Sequence, residues 1–220
     1  MRIRYLGHSS FAITDSAGLT VVTDPFGDVG FLMPRVRADA VTVSHAHFDH
    51  CNVQAVEGSP VVFDKSGSCD WKGISIRAIE TAHDDCGGKK RGKNLVFRLC
   101  MDGITVCHLG DLGEDCTESL VKSLLPVDVL LIPVGGTYTI TAEKAKEYVD
   151  AIKPKIVIPM HYQTEGLNLA IGGVEAFTKQ FAESPDRALF YVGSDIELNQ
   201  KDIKESGKEI IVMERVKEWI

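Results

Sequence analysis

His45-Ala46-His47-Phe48-Asp49-His50 places three imidazoles and one carboxylate within six residues. Residues 40–43, Ala-Val-Thr-Val, predict a strand that delivers the chain into His45. Imidazole and carboxylate are the ligand types that zinc, iron or manganese take. His45 and His47 lie two apart, so on an extended backbone they point the same way and can share one ion. Asp49 and His50 follow a bend and can turn towards a second. Polar side chains at the end of a core strand are costly to bury unless something binds them. This run holds three of the chain's 7 histidines, which argues against an ordinary solvated loop.

The flanking sequence predicts strands first, then strands alternating with helices. Residues 3–6, 10–13 and 19–23 read as short strands, separated by turns at Gly7-His8 and at 15–18. Residues 61–63, 74–79, 95–99 and 104–108 continue the pattern, and Met101-Asp102-Gly103 is a hairpin signal. Asp115-Cys116-Thr117-Glu118 has the form of a capping box before Leu120, Val121, Leu124 and Leu125 on one helical face. Residues 127–134 are almost wholly apolar, as a strand buried on both faces requires. Thr141 caps a helix with the stripe Ala142, Ala145, Tyr148, Val149 and Ile152, and Pro154 ends it. A strand over 155–159, a helix from about 173 to 183 with Val174, Phe177 and Phe181 inward, and a strand over 188–192 complete the chain. This order predicts an α/β domain over 1–220, with two mixed sheets packed together and helices on the outer faces. No linker, repeat or low-complexity stretch divides it.

Further candidates lie just beyond predicted strands. They are His83, Asp111 within His108-Leu109-Gly110-Asp111, and His161 within Pro159-Met160-His161-Tyr162. Functional groups often collect on such loops, held by a rigid scaffold. His8 is either a turn histidine satisfied by backbone or a proton donor or substrate contact. Strand alternation puts His108 behind the site, and Tyr162 either packs in the core or contacts the substrate. Lys89-Lys90-Arg91, followed by Lys93 and flanked by Gly87, Gly88 and Gly92, reads as a mobile segment that is either a solvated loop or a flap that attracts an anionic substrate. Gly135-Gly136-Thr137 offers either an N–H nest for an anion or close packing.

Bulk properties narrow the class. The chain has 220 residues, 44% hydrophobic and 25% charged, which is ordinary globular composition. A net charge of -7 makes nucleic acid an unfavoured partner. No apolar run is long enough to span a bilayer, and Met1-Arg2-Ile3-Arg4 does not open a signal peptide. The 6 cysteines include no C-x-x-C pair. They read as free thiols, mostly buried or half-buried, in a reducing, cytoplasmic compartment. A homo-oligomer is compatible with all of this.

The H-x-H-x-D-H run at 45–50, the later lone His83, Gly110-Asp111 and the late His161 together resemble the metallo-β-lactamase superfamily. The resemblance covers nearly the whole chain. Tyr5-Leu6-Gly7-His8-Ser9-Ser10-Phe11, Thr23-Asp24-Pro25 and Pro159-Met160-His161-Tyr162 are similar to the branch that includes L-ascorbate-6-phosphate lactonase and metal-dependent hydrolases of unassigned substrate. The resemblance implies a four-layer αββα sandwich with a dinuclear site at one edge. By it, His45, His47 and His83 hold the first ion, Asp49, His50 and His161 the second, and Asp111 bridges them. Asp24 supports a ligand by hydrogen bonding. Zinc is the first expectation, with manganese, iron or nickel as alternatives. Two such ions hold a water and lower its pKa towards neutrality, so no Ser, Cys or Lys nucleophile is needed. Asp49 and Asp111 are then the catalytic carboxylates. The reaction expected is cleavage of an ester, lactone or phosphodiester in a small anionic substrate. A nucleic-acid phosphodiesterase and a non-catalytic metal sensor on the same fold are the alternatives. The segment 84–93 matches no substrate loop of known preference.

Overall fold

The computed structural model describes residues 1–182, 187–191, 193–205 and 207–217. Among these, a six-stranded sheet runs in the order Asp195–Glu197, Arg2–Gly7, Ser10–Thr14, Thr20–Thr23, Ala40–Thr42, Val61–Phe63. An eight-stranded sheet runs Arg187–Tyr191, Glu209–Met213, Ile156–Met160, Val129–Pro133, Ile104–His108, Lys93–Met101, Ile74–Ala82, Gly67–Trp71. Both sheets are mixed. The pair Lys93–Met101 and Ile104–His108 is antiparallel across the Asp102-Gly103 turn, whereas Ile104–His108, Val129–Pro133 and Ile156–Met160 lie parallel.

Side-chain alternation explains how the layers stack. In the first sheet, Ile3, Tyr5, Phe11, Ile13, Val21 and Ala40 face the second sheet, while Leu6, Ala12, Val22 and Val41 face away. In the second, Phe97, Leu99, Val106, Val129, Leu131 and Ile158 enter the shared core, while Cys107, Leu130, Ile132 and Val157 face the helices. The helices Glu118–Leu124 and Ala142–Ile152 seal that outer side with Leu120, Leu124, Ala145, Tyr148, Val149 and Ile152. This is why the central strands read as unbroken apolar runs: each has an apolar layer on both faces. On the far side of the first sheet the cover is thinner. It consists of Ala38, Val56 and the partly buried Met33, Val36 and Val53, carried by short pieces such as the 3₁₀ turn Val53–Ala55.

Most expected strands are present and several are longer, notably Ile74–Ala82 and Lys93–Met101. The first helix is capped differently. Thr117, not Asp115, accepts the Leu120 N–H, so the capping box gives way to a single threonine cap. The helix expected over 173–183 shortens to Glu175–Thr178 with a 3₁₀ turn Lys179–Phe181, although Val174, Phe177 and Phe181 are buried as expected. Its end at Glu183 and the end of the late strand at Val192 lie outside the described residues. The structure adds Gly67–Trp71, Asp195–Glu197, Gln200–Glu205 and Glu209–Met213 to the expected elements. No described helix is long and apolar enough to cross a membrane.

Phe97 is fully buried between the sheets. Phe97→Ala should cost about 3–5 kcal/mol, measured as a lower urea midpoint with an unchanged slope at fixed metal loading. A shift of a few tenths of a kcal/mol would mean that the two-sheet core is not packed as described.

Candidate metal centre

The polar residues gather where strands end. His8 follows Arg2–Gly7, Asp24 follows Thr20–Thr23, His45 follows Ala40–Thr42, His83 follows Ile74–Ala82, Asp111 follows Ile104–His108 and His161 follows Ile156–Met160. Parallel pairing turns several of these ends to one edge of the sandwich. The backbone there is held in an unusual state. His8, Asp24 and His161 have φ of 53°, 39° and 50°, a region that costs energy for residues other than glycine. Hydrogen bonds enforce it: Tyr5 Oη and the His161 N–H both donate to the His8 carbonyl, at 3.0 and 2.9 Å. The Asp24 N–H donates to the Thr42 carbonyl at 2.9 Å.

Asp111 is the hub. It is 2% exposed. Its Oδ2 lies 3.3 Å from both His83 Nε2 and His161 Nε2 and 3.9 Å from His45 Nε2, and its Oδ1 lies 3.3 Å from His50 Nε2. His47 completes one side, with ring centroids 4.4 Å from His45 and 5.1 Å from His83. Asp49 Oδ2 completes the other, 3.6 Å from His50 Nε2 and 3.2 Å from His8 Nε2.

A buried polar layer behind these groups sets their orientation. Asp24 Oδ2 lies 2.8 Å from His50 Nδ1 and accepts the Ser44 hydroxyl at 2.5 Å, while Oδ1 accepts the Ser44 N–H at 2.7 Å. Ser44 Oγ is also 2.9 Å from His45 Nδ1. The Asp111 N–H donates to Asn94 Oδ1 at 2.9 Å, and Asn94 Nδ2 donates to Thr81 Oγ1 and to the Leu109 carbonyl. Gly110 allows this approach: a Cβ there would stand 2.3 Å from Asn94 Oδ1. His108 takes the position behind the site that alternation predicts. Its Nε2 is 2.7 Å from the Ser9 carbonyl, and its Nδ1 accepts the Gly110 N–H at 3.1 Å. Ser44 and Asn94 escape sequence reasoning, since a single serine or asparagine gives no local signal of what it will face.

The charges respond to this crowding. Burial alone would raise the Asp111 carboxyl, but His161 and His50 outweigh it and hold it well below its ordinary range. Burial, with His50 beside it, brings the His45 imidazole down to about 3. Burial and His161 bring His8 down to about 4. Burial also works against a charged His50, yet Asp111 and Asp24 reverse that and raise it well above the ordinary value.

Hydrogen bonding leaves this centre incomplete. His45 Nε2, His50 Nε2 and Asp111 Oδ1 are buried without a hydrogen-bond partner. Such atoms are costly to bury, and imidazole nitrogen with carboxylate oxygen is the donor set of a divalent transition ion. The residues therefore fit metal. The close-lying ligand atoms form the groups His45, His47, His83; His8, Asp49, His50, His161; and His45, His50, Asp111.

A cavity of about 510 Å³ opens over the centre. It is lined by His47, Asp49, His83, Asp111 and His161 on the floor, with Phe48, Lys90, Arg91 and Tyr138 among the walls. The segment after His83 is not the free flap that its glycines suggest. The buried Asp84 carboxylate accepts four backbone N–H groups, from Cys86 and Gly88 on Oδ1 and from Lys90 and Arg91 on Oδ2, at 2.7–2.9 Å. Burial opposes its charge, but the N–H of Arg91 and its neighbours hold the carboxyl below the ordinary range. Arg91 is anchored as well, by the Thr137 carbonyl at 3.2 Å and by the Tyr138 ring at 5.4 Å.

Several expected contacts therefore move. Lys89 is exposed and does not line the cavity, because the Asp84-centred turn presents only Lys90 and Arg91 to it. Tyr162 is buried in the helix-side core, with its hydroxyl 3.4 Å from the Met213 carbonyl, and does not line the cavity. His8 is buried against Asp49 instead of lining the cavity. Gly135 spends its N–H on the His161 carbonyl at 3.0 Å, and a Cβ there would come within 2.3 Å of that oxygen, which favours close packing over an anion nest. All six cysteines are free, and Cys69 is exposed.

Fold and centre together define a metallo-hydrolase. The beta-lactamase superfamily domain matches residues 2–161, and the chain belongs to the metallo-β-lactamase superfamily as a metal-dependent hydrolase. A Thermotoga maritima structure, assigned to the Zn-dependent hydrolases of that superfamily, is 38% identical with a TM-score of 0.77, covering 96% of this chain and 98% of that one. UPF0173 metal-dependent hydrolases of Methanospirillum hungatei and Methanocorpusculum labreanum are 32% and 31% identical, over 74% of this chain and 84% of each.

Asp84→Asn would set an amide NH₂ against backbone donors. Amide hydrogen exchange over residues 86–91 should quicken by at least tenfold, while the sheets keep wild-type protection. Unchanged exchange in the segment would show that the carboxylate does not hold it.

Proposed function

We propose that the centre holds two divalent ions, zinc by preference, and cleaves an ester, lactone or phosphodiester bond in a small anionic substrate. The observation that carries this reading is the convergence of unpartnered His45 Nε2, His50 Nε2 and Asp111 Oδ1 beneath a cavity with a basic wall. His45, His47 and His83 would hold one ion. Asp49, His50 and His161 would hold the other, with Asp111 between them. The zinc preference draws on the Zn-dependent assignment of the Thermotoga maritima relative.

Bound ions of this kind supply Lewis acidity and a nucleophile from water at neutral pH. The protein supplies the rest. Asp24 and Ser44 keep His50 and His45 from turning, and Asn94 fixes the backbone of Asp111. Lys90 and Arg91 draw the anionic end of the substrate to one wall. Their charges are pre-placed, so binding does not have to order the loop. Asp49, at the cavity floor with 11% of its side chain exposed, is the carboxylate placed to take up or return a proton.

Metal analysis of the zinc-loaded protein should give two ions per chain. A panel of lactones, esters and phosphodiesters should include a substrate whose turnover falls at least a thousandfold in Asp111→Asn, with the circular dichroism spectrum unchanged. One tightly held ion with no weaker second, or full activity in that variant, would remove the dinuclear reading. Lys90→Ala/Arg91→Ala should raise KM for an anionic substrate and leave kcat nearly unchanged, the mark of lost uniform binding. The effect should shrink at high salt, where screening shortens to about 3 Å, and vanish for a neutral ester. Equal losses on both substrates at every salt concentration would make the wall structural only.

A further inference from the structure

His8 has no place in the proposed ligand set, yet it is 1% exposed at the heart of the centre. Its surroundings show a pattern. Three inward groups of the centre are backed by a polar partner of their own: His50 by Asp24, His45 by Ser44, and the Asp111 backbone by Asn94. For Asp49 the corresponding hydrogen-bond partner is His8, whose Nε2 lies 3.2 Å from Oδ2. The ring cannot drift from this position. Its backbone has φ of 53°, its carbonyl accepts from Tyr5 Oη and from the His161 N–H, and its ring centroid lies 4.5 Å from that of His161.

The tautomer follows from the partners. A lone pair on Nε2 facing a carboxylate oxygen would be repelled, whereas an N–H is attracted. Nδ1 is buried with no hydrogen-bond partner, so a proton there would be an unpaired buried donor. The proton of the neutral ring therefore sits on Nε2 and is donated to Asp49.

We propose that His8 is a positioning residue: its Nε2–H grips Oδ2 of Asp49 and sets that carboxylate for the second ion. This rests on the two-ion reading above. Fixing a ligating carboxylate by an outer hydrogen bond sharpens its geometry, and losing such a bond costs about 10- to 100-fold in metal affinity.

Two substitutions separate this role from packing. His8→Asn tolerates the left-handed backbone, but its amide is too short to reach Asp49. His8→Gln carries an N–H donor at about the distance of Nε2. Zinc affinities come from chelator competition with Zn²⁺ alone, beside circular dichroism and the thermal midpoint of the metal-free protein. The expected result is a second ion held 10- to 100-fold more weakly in His8→Asn, the first unchanged, and recovery to within a few-fold in His8→Gln. A second ion held normally in His8→Asn overturns the proposal. So does a Gln variant as weak as the Asn variant with the fold intact, because the imidazole would then itself be a ligand. Wild-type protein that takes up a single ion overturns the two-ion reading and this one with it.

Discussion

A carboxylate buried among imidazoles is the constraint on which the rest of the structure turns. Burial at 2% exposure works against a charged Asp111, and His161 and His50 beside it outweigh that cost, with His83 and His45 completing the ring around it. Those histidines come from distant parts of the chain and converge only if both sheets end their strands at the same edge. The fold therefore serves one electrostatic requirement. The buried layer of Asp24, Ser44, Asn94 and His108 answers a second need, because rings and carboxylates left free to rotate would not converge on one point.

The sheets meet at this edge as well as in the core. His8 ends a strand of the first sheet and His161 ends a strand of the second, and the His161 N–H donates to the His8 carbonyl. The left-handed backbone of both residues is bearable because this bond and Tyr5 Oη hold it in place. Strain concentrates where function needs fixed geometry, and the two-sheet core offsets its cost.

Much of this was legible in the sequence. The apolar run at 127–134 announces a strand covered on both faces, and Val129–Pro133 is one. The six-residue cluster at 45–50 announces metal chemistry through ligand type and spacing. What stayed hidden depends on partners far away in sequence. Asp84 looks like one more surface acid until its carboxylate is seen to collect the N–H groups of a whole turn. Tyr162 sits beside a ligand in sequence yet is buried in the helix-side core, because the chain leaves the strand through the left-handed backbone of His161. Glu209–Met213 stays hidden even though Ile210 and Ile211 are apolar, since its strand character depends on pairing beside Ile156–Met160.

The turn around Asp84 has a consequence for how this protein can diversify. Asp84 fixes the turn through main-chain N–H groups, which every residue except proline provides. Where Lys90 and Arg91 stand is thus decided by the backbone, while the charge they present to the cavity is decided by their side chains. Mutation can rewrite the charge of the cavity wall at these two positions without disturbing the turn or the histidines beneath it.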